Sequence, residues 1–287
     1  MRNYPKVTSK IITLLSYCII TFGLYVLIRI FIFDFHSVSS VSMSPTIFPG
    51  DHIIVNKLVY GARLYNIFDI TDGERTTIYR LKGFQKIKRN DIVVFNMPYP
   101  KTREKMEMQL HKFLIKRCIA LPKDTLYIRN GVYHINNDST IRVGYLKIQD
   151  KLEKIRNTFN HKLFPKDSLI DWTIKDFGGL YIPQKGDVLK LNRTNAILYK
   201  NIIEWEKNRP LIFENNMLWE DKQPLSTHTF EHNYYFMVGD NASESSDSRH
   251  WGLVPEEFIT GKAWIIWKSK DLHRSQWRYS RFFKLLK

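Results

Sequence analysis

A run of apolar residues from Ile11 to Phe33 constrains this chain more than any other feature. Coiled as a helix at 1.5 Å per residue it spans about 34 Å, enough to cross the hydrocarbon core of a bilayer. Its one charge, Arg29, lies near the C-terminal end, where the long stem can reach back to the interface. The run is longer than the ~7–15 apolar residues of a cleaved leader. Phe31, Phe33, Asp34 and Phe35 also stand where a cleavage site would need small residues. An uncleaved single-pass anchor follows. Arg2, Lys6 and Lys10 precede it and Asp34 follows it, so the N-terminus stays in the cytoplasm and everything after residue 34 lies on the outer, periplasmic or extracellular face of the cytoplasmic membrane.

Beyond the anchor, short β-type runs alternate with turns. His52–Val55, Ile92–Phe95, Thr125–Ile128 and Tyr234–Val238 read as strands. Gly50-Asp51, Asn90-Asp91 and Gly186-Asp187 each introduce an apolar run and mark where strands begin. Asn195–Asn208 reads as the clearest soluble helix. Ile197, Leu198, Ile202 and Trp205 form its apolar face, and Thr194 or Asn195 is its cap. The fold expected is mainly β, with one N-terminal transmembrane helix and an inserted smaller domain. Residues 1–10 are the cytoplasmic N-terminus, 11–33 the anchor, and 34–129 with 233–270 a β core. The more polar stretch 130–232 is the insertion, and 271–287 a basic, aromatic tail.

Two cysteines, Cys18 and Cys118, give neither a disulfide framework nor a zinc site. The nine histidines show no zinc spacing, because His228 and His232 fall in a strand-and-turn region. A net charge of +16 points to nucleic acid or an anionic membrane surface. An outward-facing domain on a membrane anchor excludes nucleic acid as a partner. Basic residues interleaved with Trp267, Trp277, Tyr279, Phe282 and Phe283 suit anionic membrane lipids as well as they suit a solvated terminus.

Three segments carry chemistry: Ser40-Val41-Ser42-Met43-Ser44-Pro45-Thr46, Ile115-Lys116-Arg117 through Asp124, and Gly239-Asp240-Asn241 through Gly252. A serine hydroxyl needs a base to take its proton. A lysine can serve only when neutral, with its pKa, ordinarily about 10.4, depressed by burial. Lys116 stands among Phe113, Leu114, Ile115, Cys118 and Ile119, which can desolvate an ammonium, while Arg117 points to the opposite strand face.

In this order, after a membrane span and with Gly50-Asp51 and Val55-Asn56-Lys57, the segments resemble bacterial type I signal peptidases. The resemblance implies a serine endopeptidase that removes N-terminal signal peptides from exported preproteins through an acyl-enzyme, with no metal or organic cofactor. It implies Ser42 as nucleophile and Lys116 as general base. The Ser40 hydroxyl and the Ser42 N–H would form the oxyanion hole, with Ser245 orienting the lysine. Asp247 and Arg249 would form a structural ion pair with Asp240 in the same turn, and Val38, Leu114 and Ile115 would line the substrate pockets. The family's Gly-Leu-Pro-Gly-Asp is Ala120-Leu121-Pro122-Lys123-Asp124 here. A turn requiring positive φ at position 120 or 123 would be strained. Three alternatives stay open: a Ser–Lys protease that cleaves itself or one dedicated partner, a Ser–His–Asp arrangement through His250 and Asp247, and a membrane-tethered β module without activity.

Overall fold

The computed structural model describes residues 6–65, 77–99, 105–138, 140–154 and 163–286. Arg2 of the flanking charges, and residues 139 and 155–162 of the polar stretch 130–232, lie outside the described residues. The apolar run forms helix α1, Lys6–Phe31. Over Lys10–Phe31 it is long and apolar enough to span a membrane, and none of it is buried against protein. The helix ends earlier than the apolar run. Phe33 already begins strand β1, Phe33–Ser37, so Ile32 alone separates anchor from sheet. The junction is braced. Lys57 donates from its backbone to the Ile32 carbonyl at 2.8 Å and from Nζ to the Arg29 carbonyl at 2.8 Å, and Arg29 pairs with Asp34 at 2.8 Å.

The outer domain is built on one antiparallel sheet. Its strands are β1, β2 (Asp51–Asn56), β3 (Ile92–Met97), β4 (Gln109–Ala120), and, after a long excursion, β8 (Tyr234–Val238), β9 (Val254–Pro255), β10 (Ile259–Ser269) and β11 (Lys284–Leu285). The spatial order is β1-β2-β10-β3-β4-β8-β9, with β11 on β10. Alternation in β2 buries Asp51, Ile53 and Val55 on one face. β3 and β8, flanked on both sides, are apolar and buried almost throughout.

The excursion carries β5 (Thr125–Arg129), β6 (Val132–Ile135) and β7 (Phe177–Tyr181), which form a second sheet. It also holds helices α2 (Leu146–Lys154) and α3 (Arg193–Lys207). The boundary expected at residue 130 falls inside the β5–β6 hairpin, whose register pairs Arg129 with Val132. Among the described residues the excursion shares its core with the main sheet: Tyr133, Leu180, Ile202 and Phe230 join the same apolar cluster as Phe95, Ile119 and Phe236. The cap of α3 is Asn192, whose side chain accepts from Asn195 N, rather than Thr194 or Asn195. The left-handed Asn208 closes the other end.

A smaller cluster joins Val38, Met43, Ile47, Ile53, Val94 and Leu286. The expected tail is therefore part of the fold: β11 pairs with β10, and Leu286 is buried.

Candidate functional site

Ser42 sits in the loop that joins β1 to β2. Mutual backbone bonds, Val38 N to Asp51 O and Gly50 N to Val38 O, close the loop at its base. Met43 and Ile47, both buried, pin it to the small cluster. Gly50 is obligatory there, since its φ is +88° and a Cβ would lie 1.9 Å from the Lys270 carbonyl oxygen. Lys116 lies in β4, opposite Val93 of β3, with β8 on the strand's other side. A central strand keeps water from both flanks, and Lys116 is 3% exposed.

Loop and strand bring Lys116 Nζ to 2.6 Å from Ser42 Oγ. Burial pulls the Lys116 ammonium down from its ordinary 10.5 to about 8. Asp247 opposes the shift and Arg249 assists it. Ser40 Oγ stands 3.2 Å from Ser42 Oγ, and Ser40 itself is exposed. A buried hydroxyl next to an amine whose proton is loosened by burial, with a second hydroxyl beside it, has the chemistry that a general-base pair with an adjacent donor requires.

The turn after β8 supports this pair. Asn241 N donates to Ser42 O at 3.0 Å. Gly239 permits the approach, because a Cβ there would lie 2.4 Å from Ser42 O and 2.2 Å from Ser245 Oγ. Arg117 does point away from Lys116: its Nε and Nη2 each lie 2.7 Å from the Asp240 carboxylate. Asp247 and Arg249 form a fully buried pair at 2.7 Å, and Asp247 caps helix α4, Ser248–Trp251. Burial opposes ionisation of Asp247, yet Arg249 holds its carboxyl far below the usual carboxylate range. Asp240 and Asp247 thus serve two separate ion pairs. The Ser245 hydroxyl is buried, with no partner at hydrogen-bond geometry among the described residues though it lies within the influence of the Asp247 carboxylate, and Lys116 Nζ donates to Ser42. His250 closes the α4 capping box, with its Nδ1 accepting from Asp247 N at 3.4 Å.

The three expected pocket residues divide between two faces. Val38 belongs to the small cluster and Ile115 packs against it, whereas Leu114 packs against the large one. Successive strand residues face opposite ways, so Leu114 shares the side of Lys116. The turn at Leu121–Asp124 resolves the missing glycines. Ala120 ends β4 in ordinary extended backbone, and the left-handed position is Lys123, with φ +74°. The turn is held by Leu121 N donating to Asp124 at 2.8 Å and by the fork of Arg89 on Asp124 at 3.0 and 2.5 Å.

Two contacts near the site join segments that are remote in sequence. Thr46 Oγ1 donates to Asp240 Oδ2 at 2.5 Å. Arg281 donates to the Thr46 carbonyl at 3.0 Å and grips Asp51.

The family model "Signal peptidase, peptidase S26" matches residues 11–268. A signal peptidase I of Buchnera aphidicola subsp. Acyrthosiphon pisum is 30% identical over 88% of this chain and 73% of its own length. The signal peptidase I of Haemophilus influenzae is 26% identical over 91% of this chain and 72% of its own. A crystal structure of a signal peptidase I from Enterococcus faecalis, 20% identical, covers 62% of this chain and 97% of that one at a TM-score of 0.31.

Proposed function

The chain belongs to the signal peptidase family, peptidase S26, and from that premise we propose that Ser42 and Lys116 are the dyad with which it cuts. It is a membrane-anchored serine endopeptidase that removes signal peptides from preproteins. The observation that carries the dyad is the 2.6 Å approach of Lys116 Nζ to Ser42 Oγ, with both side chains buried.

The neutral amine of Lys116 takes the hydroxyl proton as Ser42 Oγ attacks the scissile carbonyl carbon. The negative charge that develops on the carbonyl oxygen is met by the Ser40 hydroxyl and the Ser42 N–H. Collapse breaks the C–N bond, and the lysine ammonium gives its proton to the departing amine. This leaves the signal peptide as an ester on Ser42. Water, deprotonated by the same amine, then releases it. Ser245, buried close by, orients the amine, while the Asp247–Arg249 pair holds the turn that carries Ser245. Val38 and Ile115 on one face and Leu114 on the other border the substrate pockets. Their bulk favours small residues at the first and third positions before the cut.

The site faces outward from the cytoplasmic membrane, in accord with Lys10 and its basic neighbours on the inner side. Anionic lipids meet the exposed aromatic groove of about 200 Å³ formed by Trp267, Lys268, Trp277, Tyr279, Phe282 and Phe283. Phe35, packed edge-on to Trp267, lies close to the end of α1. The decisive experiment is covalent labelling of the full chain with a serine-reactive acylating probe. Labelling is expected in the parent and lost in Ser42→Ala. Equal labelling of the variant would remove Ser42 as nucleophile.

A further inference from the structure

The 42–50 loop is neither strand nor regular helix, so something else must fix the height of Ser42 over Lys116. On one side the Gly239–Asn241 turn holds it, through Asn241 N on Ser42 O and Asp240 on Thr46. On the other side stands the C-terminal tail. Arg281 Nε and Nη2 bind the Asp51 carboxylate at 3.0 and 2.5 Å, and the same Nη2 reaches the Thr46 carbonyl at 3.0 Å. Asp51, wholly buried, also accepts from Phe48 N at 2.8 Å. Arg278 Nη1 adds a bond to the Pro49 carbonyl at 2.9 Å, and the Arg281 guanidinium lies over the Phe48 ring, 4.6 Å from its centroid. The tail is itself secured, since Leu286 N donates to the Trp264 carbonyl at 2.8 Å and its side chain joins Met43 and Ile47 in the small cluster.

We propose that Arg281 is a positioning residue for the nucleophile: the C-terminal tail clamps the 46–51 segment and thereby sets Ser42 at hydrogen-bond distance from Lys116. The proposal rests on Ser42 and Lys116 being the dyad. The arginine fork is essential to it, because one planar group holds a carboxylate with two bonds and a backbone carbonyl with a third, which a lysine ammonium cannot reproduce. The clamp ties the loop to the first residue of β2 and is not needed to pair the strands. β10 already pairs with β2 and β3 before the tail begins.

The test uses the full-length protein in detergent micelles with a signal-peptide-bearing preprotein as substrate. Arg281→Ala is expected to lower kcat by about 100-fold, the scale of an ångström of misplacement at a reacting group. KM should stay within about threefold and the pH of half-maximal kcat should be unchanged, since the surroundings of Lys116 are untouched. Arg281→Lys should recover part of kcat, and Gln276→Ala, an exposed tail substitution, should match the parent. Melting curves establish that each variant is folded at the assay temperature. Should Arg281→Ala fail that check, Arg281→Lys and Arg278→Ala carry the test through their kcat. Parent-like kcat in Arg281→Lys together with Arg278→Ala, a loss confined to KM, or a folded Arg281→Ala with parent kcat overturns the clamp. If Ser42→Ala is inactive in the same assay, such a result leaves the dyad standing. An active Ser42→Ala removes the dyad and the clamp with it.

Discussion

Lys116 and Arg249 are both buried cations near one serine, 3% and 0% exposed, yet their protons behave in opposite ways. Burial brings Lys116 down to about 8. Arg249 suffers the same desolvation, but Asp247 at 2.7 Å outweighs it and holds the guanidinium above its ordinary value. The difference lies in what each group touches. Lys116 meets a hydroxyl, which asks for no charge, and Arg249 meets a carboxylate, which demands one. Burial alone does not make a base. Burial with a neutral partner does.

The sharpest way to break this contrast is to remove the neutral pair. Ser42→Ala and Lys116→Ala should each reduce preprotein cleavage by roughly 10⁴-fold or more, and the double variant should be little worse, because the two act as a unit. Steady-state cleavage assays read this directly, and independent, multiplicative losses would show that the two groups do not work together. Next in size is the charged pair. Asp247→Asn leaves a buried guanidinium uncompensated and should cost about 3–5 kcal/mol in denaturant unfolding. A cost below about 1 kcal/mol would mean that the pair is not what holds the turn.

The third test concerns pH. The folded pKa of Lys116, about 8, lies below its ordinary 10.5. Between those values the unfolded chain binds a proton that the folded chain has shed, so this group makes stability rise with pH across the window. Below about 8 the folded lysine is protonated as well, and the full cost, roughly 3 kcal/mol, is present. Lys116→Met should therefore unfold at higher denaturant than the parent at pH 7, and the gain should shrink toward pH 10. Parent activity should rise as pH passes up through about 8. A rise centred near the ordinary histidine value of about 6.5 would point to His250. The smallest effect is expected at Ser245. Ser245→Ala removes a buried hydroxyl without a normal hydrogen bond, so stability should hold or improve by about 1 kcal/mol. Cleavage should nonetheless fall by about tenfold if this oxygen orients the amine.

What was legible in the sequence follows the range of the forces involved. The strand Tyr234–Val238 was readable to the residue, because five consecutive apolar side chains in a doubly flanked strand leave no ambiguity. The α3 cap was not, since Asn192, Thr194 and Asn195 all offer a capping side chain and only packing chooses among them. Lys116 beside its apolar neighbours announced a depressed pKa, whereas the faces of Leu114 and Ile115 depended on strand phase. The absent glycines left positions 120 and 123 equally open to strain, and it is Lys123 that adopts φ +74° while Ala120 stays extended. Thr46–Asp240 and Arg281–Asp51 join segments from opposite ends of the chain, and no local pattern can reveal such partners.

The junction between α1 and β1 leaves almost no slack. Ile32 alone separates the two, and Lys57 fastens the backbone at Ile32 itself and at Arg29 before it. An anchor joined without a hinge makes the outer domain a lever on the helix. When α1 leans to fit its apolar length to a thinner bilayer, Ser42 must swing with it, changing its height above the lipid. A preprotein presents its scissile bond at a depth set by its own apolar segment, so the enzyme measures that depth with its own spine. Cleavage of one preprotein in vesicles of different thickness is therefore expected to change with the bilayer.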